Sequence, residues 1–550
     1  TLAISTDRNL GAVPASVTPD NISLNGGTLQ FMTGFTTLHA NRGITLAGNG
    51  TLSTDASVSV NYAGVIAGTG GLTKSGAGTF TLTNAQTYAG TTTLSGGILN
   101  VGDGSNTTAA LGANSLSLGS GTTLNFNHSA DVTVANAISG AGALNKVDTH
   151  TLTLTGVNSY TGATDTGSAG AVVYTNNTAP ATSGFTGSGA VTIEPGTTSF
   201  GSLVIGNYNF ATTLSGLTLG KTGNLTDVTL NSLVNIAGPI TVYAPNITLN
   251  GGSFSTAGGQ TYNGAVILGA NTTLSSTGGG DITFGGTVNG AKTLVVNTTG
   301  ATTFTGAVGG STALTSVTTN AGGSVAINGG GVTTTGAQTY NEAVTLGAAT
   351  TLSSTGAGDI TLGHTVNGAQ TLYINTTGAT TFTGAVGGTT ALTSVTTNAG
   401  GTVAINGGSV TTTGAQTYGE AMSLGAPIVA SDTAPLREAM PEMLAKEAVL
   451  FKPRTTLWYT ERTTGIRLSR ASHQRTRRWP IKLAVRRPVI KTTSSVIKAP
   501  TPGMLKPTSG EQVAAFEHRG DAAQLDGSWL RVAHFDDRTH EFGLEAEVFK

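Results

Sequence analysis

Three strings, GGQTYNGAV, GAQTYNEAV and GAQTYGEAM, place Tyr262, Tyr340 and Tyr418 at intervals of 78 residues. The string NTTGATTFTGAVGG at Asn297–Gly310 returns letter for letter at Asn375–Gly388, and GGDITF around Asp281 returns as AGDITL around Asp359. A chain with such internal identity folds as a stack of similar units, each resting on its neighbours. Every 78-residue unit divides into about four pieces of roughly 20 residues, a common length for one β-helix coil. Within the pieces apolar and small polar residues alternate, as in Leu294 and Val296, Thr302 and Phe304, Val325 and Ile327. Period two sends those side chains to one face of each strand. Stacking coil on coil then aligns like with like, so Phe304 and Phe382 are expected in one inward ladder.

Composition supports many short strands joined by tight turns. Charged residues are 10 % of the 550, and 81 are Gly, against about 25 % charge in an average soluble domain. An apolar fraction of 38 % is too high for a charge-rich disordered chain. The absence of cysteine excludes disulfide frameworks and Cys-based zinc sites. No run of about 18 apolar residues predicts a transmembrane helix. Propellers and up-and-down barrels also use short, evenly spaced strands, but need larger aromatic anchors and longer strands.

The balance of charge divides the chain. Residues 1–426 hold 6 Lys/Arg and 13 Asp/Glu, and residues 427–550 hold 20 and 14. The fold expected is all-β: a right-handed parallel β-helix, then a short helix, a basic linker and a small β unit. The chain divides into four segments: 1–256 and 257–426 as β-helix, the latter carrying the 78-residue repeats, 427–506 as short helix and basic Pro-containing linker, and 507–550 as a β-rich unit. The short helix is placed at residues 432–451, after the capping residues Asp432 and Thr433. QVAAFEH, SWLRVAHF and FGLEAEVF are the strands of the C-terminal unit.

Two segments carry a family signature. Gly70–Gly102 reads GGLTKSGAGTFTLTNAQTYAGTTTLSGGILNVG, and a second copy begins 72 residues later, with Leu144, Lys146, Tyr160 and Gly162 matching Leu72, Lys74, Tyr88 and Gly90. The pattern resembles the passenger-associated repeat of autotransporters. The second copy lacks the Gly-Ala-Gly turn, having Val147–His150 in its place. Leu217–Gly252 and the 78-residue units resemble filamentous-haemagglutinin-like exoproteins of two-partner secretion. This resemblance implies a secreted or outer-membrane-associated shaft, commonly an adhesin attaching to cells, matrix or surfaces. Its implied partners are a receptor, glycan or matrix component and a separate outer-membrane transporter. A self-associating extracellular matrix or biofilm fibre is the alternative, and a carbohydrate-active β-helix enzyme a third.

Catalysis on a β-helix needs clustered carboxylates. Asp281 and Asp359 are expected on one line about four rungs apart, roughly 19 Å, too far to act as a pair. Each is read as a turn residue capping backbone N–H groups. No enzyme activity, cofactor or metal site is expected. Tyr88, Tyr160, Tyr262, Tyr340 and Tyr418 form either a row of sugar-stacking aromatics or packing residues beside turns, and packing is preferred. Arg519, Gly520 and Asp521 spell a tripeptide that serves as an integrin-binding loop in some adhesins. Arg475, Arg477, Arg478, Arg486 and Arg487 form a basic strip suited to polyanions, with an envelope-anchoring linker favoured over nucleic-acid binding.

Overall fold

The computed structural model describes residues 1–425, except Thr198, Phe200, Gly201, Ser202, Asn207 and Ala321, together with several short strands beyond them. The chain separates into two units, Thr1–Gly363 and His364–Lys550.

Alternation in the sequence becomes coil geometry in the first unit. In Thr123–Phe126 and Thr151–Leu154 the second and fourth side chains are buried, and the others face outward. A strand this short buries too little to persist alone, so it pairs with the strand one coil away. Leu72–Ser75 lies beside Thr92–Leu94, with Leu72 opposite Thr92 and Lys74 opposite Leu94. Thr79–Leu82 takes Ile98–Val101 in the same manner. Every strand pair described in this unit is parallel, which excludes the up-and-down barrel, whose neighbours run antiparallel. The result is a parallel β-solenoid with three strand positions per coil.

Inward side chains stack in columns. Tyr262, Phe284 and Phe304 lie ring on ring, with centroids 5.7 and 5.1 Å apart and planes tilted by 18° and 8°. All three are fully buried. Burying an aromatic or large aliphatic side chain contributes about 1.5–3 kcal/mol, and aromatic stacking adds about 0.5–1.5 kcal/mol. The pairs singled out by alternation, from Leu294 and Val296 to Val325 and Ile327, all face this core.

The sequence repeat, however, is not a whole number of coils. Gln260–Leu268 begins in the sheet that holds Ile282–Phe284 and Ala301–Phe304. Its counterpart 78 residues on, Gln338–Tyr340, pairs instead with Ser316–Thr319 and Ile360–Leu362 on another face. Thr272–Ser276 and its counterpart Thr350–Ser354 part in the same way. Between Tyr262 and Tyr340 the chain passes eleven strand positions, which is three coils and two thirds of a fourth. Equivalent residues therefore turn by one face per repeat, and the expectation that like stacks on like is corrected. Phe304 and Phe382 both point inward, but Phe304 continues the column of Phe284, whereas the repeat equivalent of Phe284 is Leu362, on another face. The rotation follows from strand spacing: 78 residues over eleven positions leaves about seven per strand and turn, and eleven is not divisible by three.

In the second unit, Thr371–Asn375, Ser394–Thr397 and Gln416–Tyr418 pair in parallel, as do Ala379–Phe382, Thr402–Ile405 and Ala421–Leu424. Farther along, Ala522–Leu525, Ser528–Val532 and Ala546–Phe549 pair antiparallel. Two of these coincide with SWLRVAHF and FGLEAEVF, while Ala522–Leu525 falls in a stretch read as a turn. Ile466–Leu468 pairs antiparallel with Leu483–Val485 inside the segment expected as linker. The helix expected at 432–451 lies outside the described residues.

Candidate functional surfaces

The passenger-like segment owes its geometry to an inward lysine. Lys74 occupies a core position between Leu52 and Leu94 and is 1 % exposed. Its ammonium donates to the carbonyls of Ser75, Gly76, Gly78 and Gly96, at 2.8–3.0 Å. It thus fastens the turn after its own strand to the turn of the next coil. Burial pushes this lysine down to about 8. In the second copy Lys146 donates to the carbonyls of Asp148 and Ala169 and lies 3.6 Å from the Asp148 carboxylate. Asp148 in turn accepts from the backbone N–H groups of His128 and His150, both at 2.8 Å. One carboxylate stands where the first copy has a glycine turn, which is why Val147–His150 still closes.

The tyrosines serve the core. Tyr88, Tyr160, Tyr262 and Tyr340 are at most 1 % exposed, and Tyr418 is half-buried. Tyr88 bonds the Thr92 hydroxyl at 2.5 Å and Tyr160 bonds Thr164 at 2.7 Å, the same four-residue step in both passenger segments. Burial raises the hydroxyls of both. Asp281 accepts from the backbone N–H of Ala301 in the adjoining coil, at 2.7 Å. Asp281 and Asp359 flank strands of different sheets, so they share no line along the coils.

Among the described residues no group of three or more His, Asp or Glu has metal-ligand geometry. A shallow cleft of about 450 Å³ is lined by Lys221, Asn224, Tyr243 and Asn263, among others. The expected contacts Arg519, Gly520 and Asp521, and the basic strip Arg475, Arg477, Arg478, Arg486 and Arg487, lie outside the described residues.

The passenger-associated-transport-repeat family matches residues 72–101 and 144–172, the two segments held by Lys74 and Lys146. The chain carries autotransporter passenger repeats. It is also 32 % identical over 302 residues to the adhesin BmaC autotransporter of Brucella suis biovar 1 (strain 1330). That alignment covers 52 % of this chain and 8 % of the relative's length. No solved structure matches the chain.

In these passenger repeats the glycine two residues after the tyrosine is required by crowding. A Cβ on Gly90 would sit 2.3 Å from the Gly71 nitrogen, and one on Gly162 would sit 2.1 Å from the Gly142 carbonyl oxygen. Other structural residues escaped the sequence reasoning. Arg42 is fully buried, paired through Nε with Asp7 at 3.0 Å, and its other nitrogens donate to Asn21 and to the carbonyls of Asp7, Leu10 and Gly11. Gln260 and Gln338 each donate to two carbonyls and a threonine hydroxyl and accept from Tyr262 or Tyr340. The signal for the glutamines was present: Gln precedes Tyr by two in all three 78-residue units. Arg42 had no such signal, because it occurs once.

Proposed function

We propose that this chain is part of the surface-displayed shaft of a bacterial adhesin, acting by reach and contact rather than by catalysis. The observation that carries the proposal is the coincidence of two passenger repeats with two lysine-fastened turns of a parallel β-solenoid. The adhesin relative supports attachment as the outcome. Each coil lengthens such a shaft by about 4.8 Å without needing new core chemistry. The surface of a cell or extracellular matrix is the proposed target, and export through a separate outer-membrane transporter domain the proposed route. Arg519–Asp521 and the basic strip from Arg475 to Arg487 are the proposed contact residues of the C-terminal part.

A self-associating matrix fibre is the second reading, favoured by the uncharged outward strand positions on more than one face, such as Thr218, Thr241, Thr261 and Thr283 or Thr318, Thr339 and Thr361. The test is deletion of the gene, followed by attachment to matrix, glycans and abiotic surfaces, with an antibody against the 78-residue unit on intact cells. Surface labelling with loss of attachment in the deletion strain supports the adhesin shaft. Absence of labelling on intact cells overturns display at the surface.

A further inference from the structure

One corner of the first unit departs from the corners of the coils that follow it. Residues 220–227 form a loop between Leu217–Leu219 and Val228–Leu230. The next coil crosses the same corner inside one strand, Ile240–Leu249, whose register shifts between Tyr243 and Asn246. The loop is fastened over that tighter corner. Asn224 is buried, and its amide donates to the carbonyls of Thr226 and Tyr243, both at 2.9 Å. Asp227 accepts from the backbone and side-chain nitrogens of Asn246, at 3.1 and 3.0 Å. Gly220, with a φ of 75°, lies so close that a Cβ would sit 2.2 Å from the Tyr243 carbonyl oxygen. Loop and corner together bound the cleft of about 450 Å³ that holds Lys221, Tyr243, Pro245 and Asn263, a volume within the range of small-ligand sites.

Three side chains of this cleft are uncommitted. Tyr243 takes an outward place in the alternation of its strand and stands opposite Asn263 of the next coil. The seven other tyrosines of the first unit all turn the hydroxyl onto a protein partner, as Tyr62 does onto the Arg42 carbonyl and Tyr340 onto Gln338. The Tyr243 hydroxyl, the Lys221 ammonium and the Asn263 amide make no hydrogen bond or ion pair among the described residues. An outward cation is itself scarce here, because Arg42, Lys74 and Lys146 are buried and leave Arg8, Lys221 and Lys292 for the surface of residues 1–426.

We propose that this cleft binds a sugar residue that bears a carboxylate, a uronate or a sialate of a glycan. Each of the three groups answers one part of such a ligand. The Tyr243 ring is a flat apolar surface for the C–H face of a pyranose, with a polar tip for a hydroxyl. Lys221 supplies the cation for the carboxylate, and charge-assisted hydrogen bonds are the strong ones. Asn263, about 4.8 Å farther along the coils, both donates and accepts, as sugar hydroxyls require. A neutral sugar leaves Lys221 unmatched, and a small inorganic anion leaves the ring unused. The loop's own acid, Asp227, is engaged by Asn246 and makes no ion pair with Lys221.

This deepens the adhesin reading, on which it rests for its biological sense, by naming a ligand class for the shaft. The test is isothermal titration of the full chain with digalacturonate, sialyllactose and neutral lactose. A basic strip also attracts acids, so every chain titrated has Arg475, Arg477, Arg478, Arg486 and Arg487 changed to Gln. Binding of an acidic probe in preference to lactose is expected, and the two acids separate uronate from sialate as the source of the carboxylate. Lys221→Gln and Tyr243→Thr are each expected to weaken it by about tenfold or more. Lys221→Arg is expected to retain binding, which separates loss of charge from loss of fold. Lys292→Gln removes a different outward lysine and is expected to bind like the parent. A parent that takes up neither acid at about 1 mM, or lactose equally well, overturns the proposal. Equal loss in Lys221→Gln and Lys292→Gln overturns it too, as does displacement of the sugar by an equal concentration of acetate. Surface labelling is scored separately: an unlabelled cell overturns display and leaves the titration standing, whereas a failed titration leaves the shaft without this ligand.

Discussion

A lysine in a hydrophobic column decides how the passenger repeat turns. Lys74 has no carboxylate partner among the described residues and holds four carbonyls instead. Replacing it with methionine keeps the volume and strands those carbonyls, and charged hydrogen bonds contribute about 1.5–3 kcal/mol each before desolvation is counted. Lys74→Met is therefore expected to lower stability by about 2–4 kcal/mol in urea unfolding. The native lysine loses its proton near 8 and an unfolded one near 10.4. Between those values the native state binds fewer protons, so unfolding free energy rises with pH across that window. Lys74→Met should remove that slope.

Glu342 poses the opposite case. It is 2 % exposed, its carboxylate makes no hydrogen bond of normal geometry, and burial raises its carboxyl. Between the ordinary carboxylate value and the raised native one the native state binds more protons than the unfolded chain, so stability falls as pH rises through that window. Glu342→Gln is expected to gain about 1 kcal/mol at pH 7 and to lose the advantage when the melt is repeated near pH 4. Alternation made the burial of Leu294 or Phe304 readable in advance. It gave no warning of Lys74, Arg42 or Glu342, because charge at an inward position breaks the rule that reveals the position.

At the scale of the coil, corners matter as much as strands. Gly90 stands over Gly70 and Gly71 with no room for a methyl group. Gly90→Ala is expected to cost about 2–3 kcal/mol. Gly331→Ala, whose added carbon would meet its nearest neighbour at an ordinary 3.7 Å, should stay within about 0.5 kcal/mol in the same melt. Strand existence was legible from period two, and the passenger copies from their spaced motif. Corner chemistry was only half legible. The Gln-x-Tyr string was visible as a repeat, but the two carbonyls each glutamine ties become evident only when the next coil lies above it.

For the molecule as a whole, spacing recurred in the sequence without disclosing its own angle. A 78-residue interval can be read as about four coils, yet eleven strand positions fit it. The 72-residue passenger interval also carries Lys74 and Lys146 to different sheets. Seven residues per strand position is a small unit, and one position more or less is invisible until the register is known. Excision of residues 263–340 joins Tyr262 to Asn341, as Tyr340 is joined to Asn341 in the parent. The shortened chain is expected to keep its far-ultraviolet β spectrum and to melt within a few degrees of the parent. A collapse of that spectrum would show that each face demands its own copy of the repeat.

Such an excision is what recombination between the near-identical stretches would produce in a gene. Adding or losing one unit lengthens or shortens the stem by the same step each time, but it also re-indexes the azimuth of the downstream coils by a third of a revolution. Siblings with three successive copy numbers would place the coil that follows the repeats at three different headings, and only a change of three units would restore the original one. Copy number in this protein is a steering setting as well as a length.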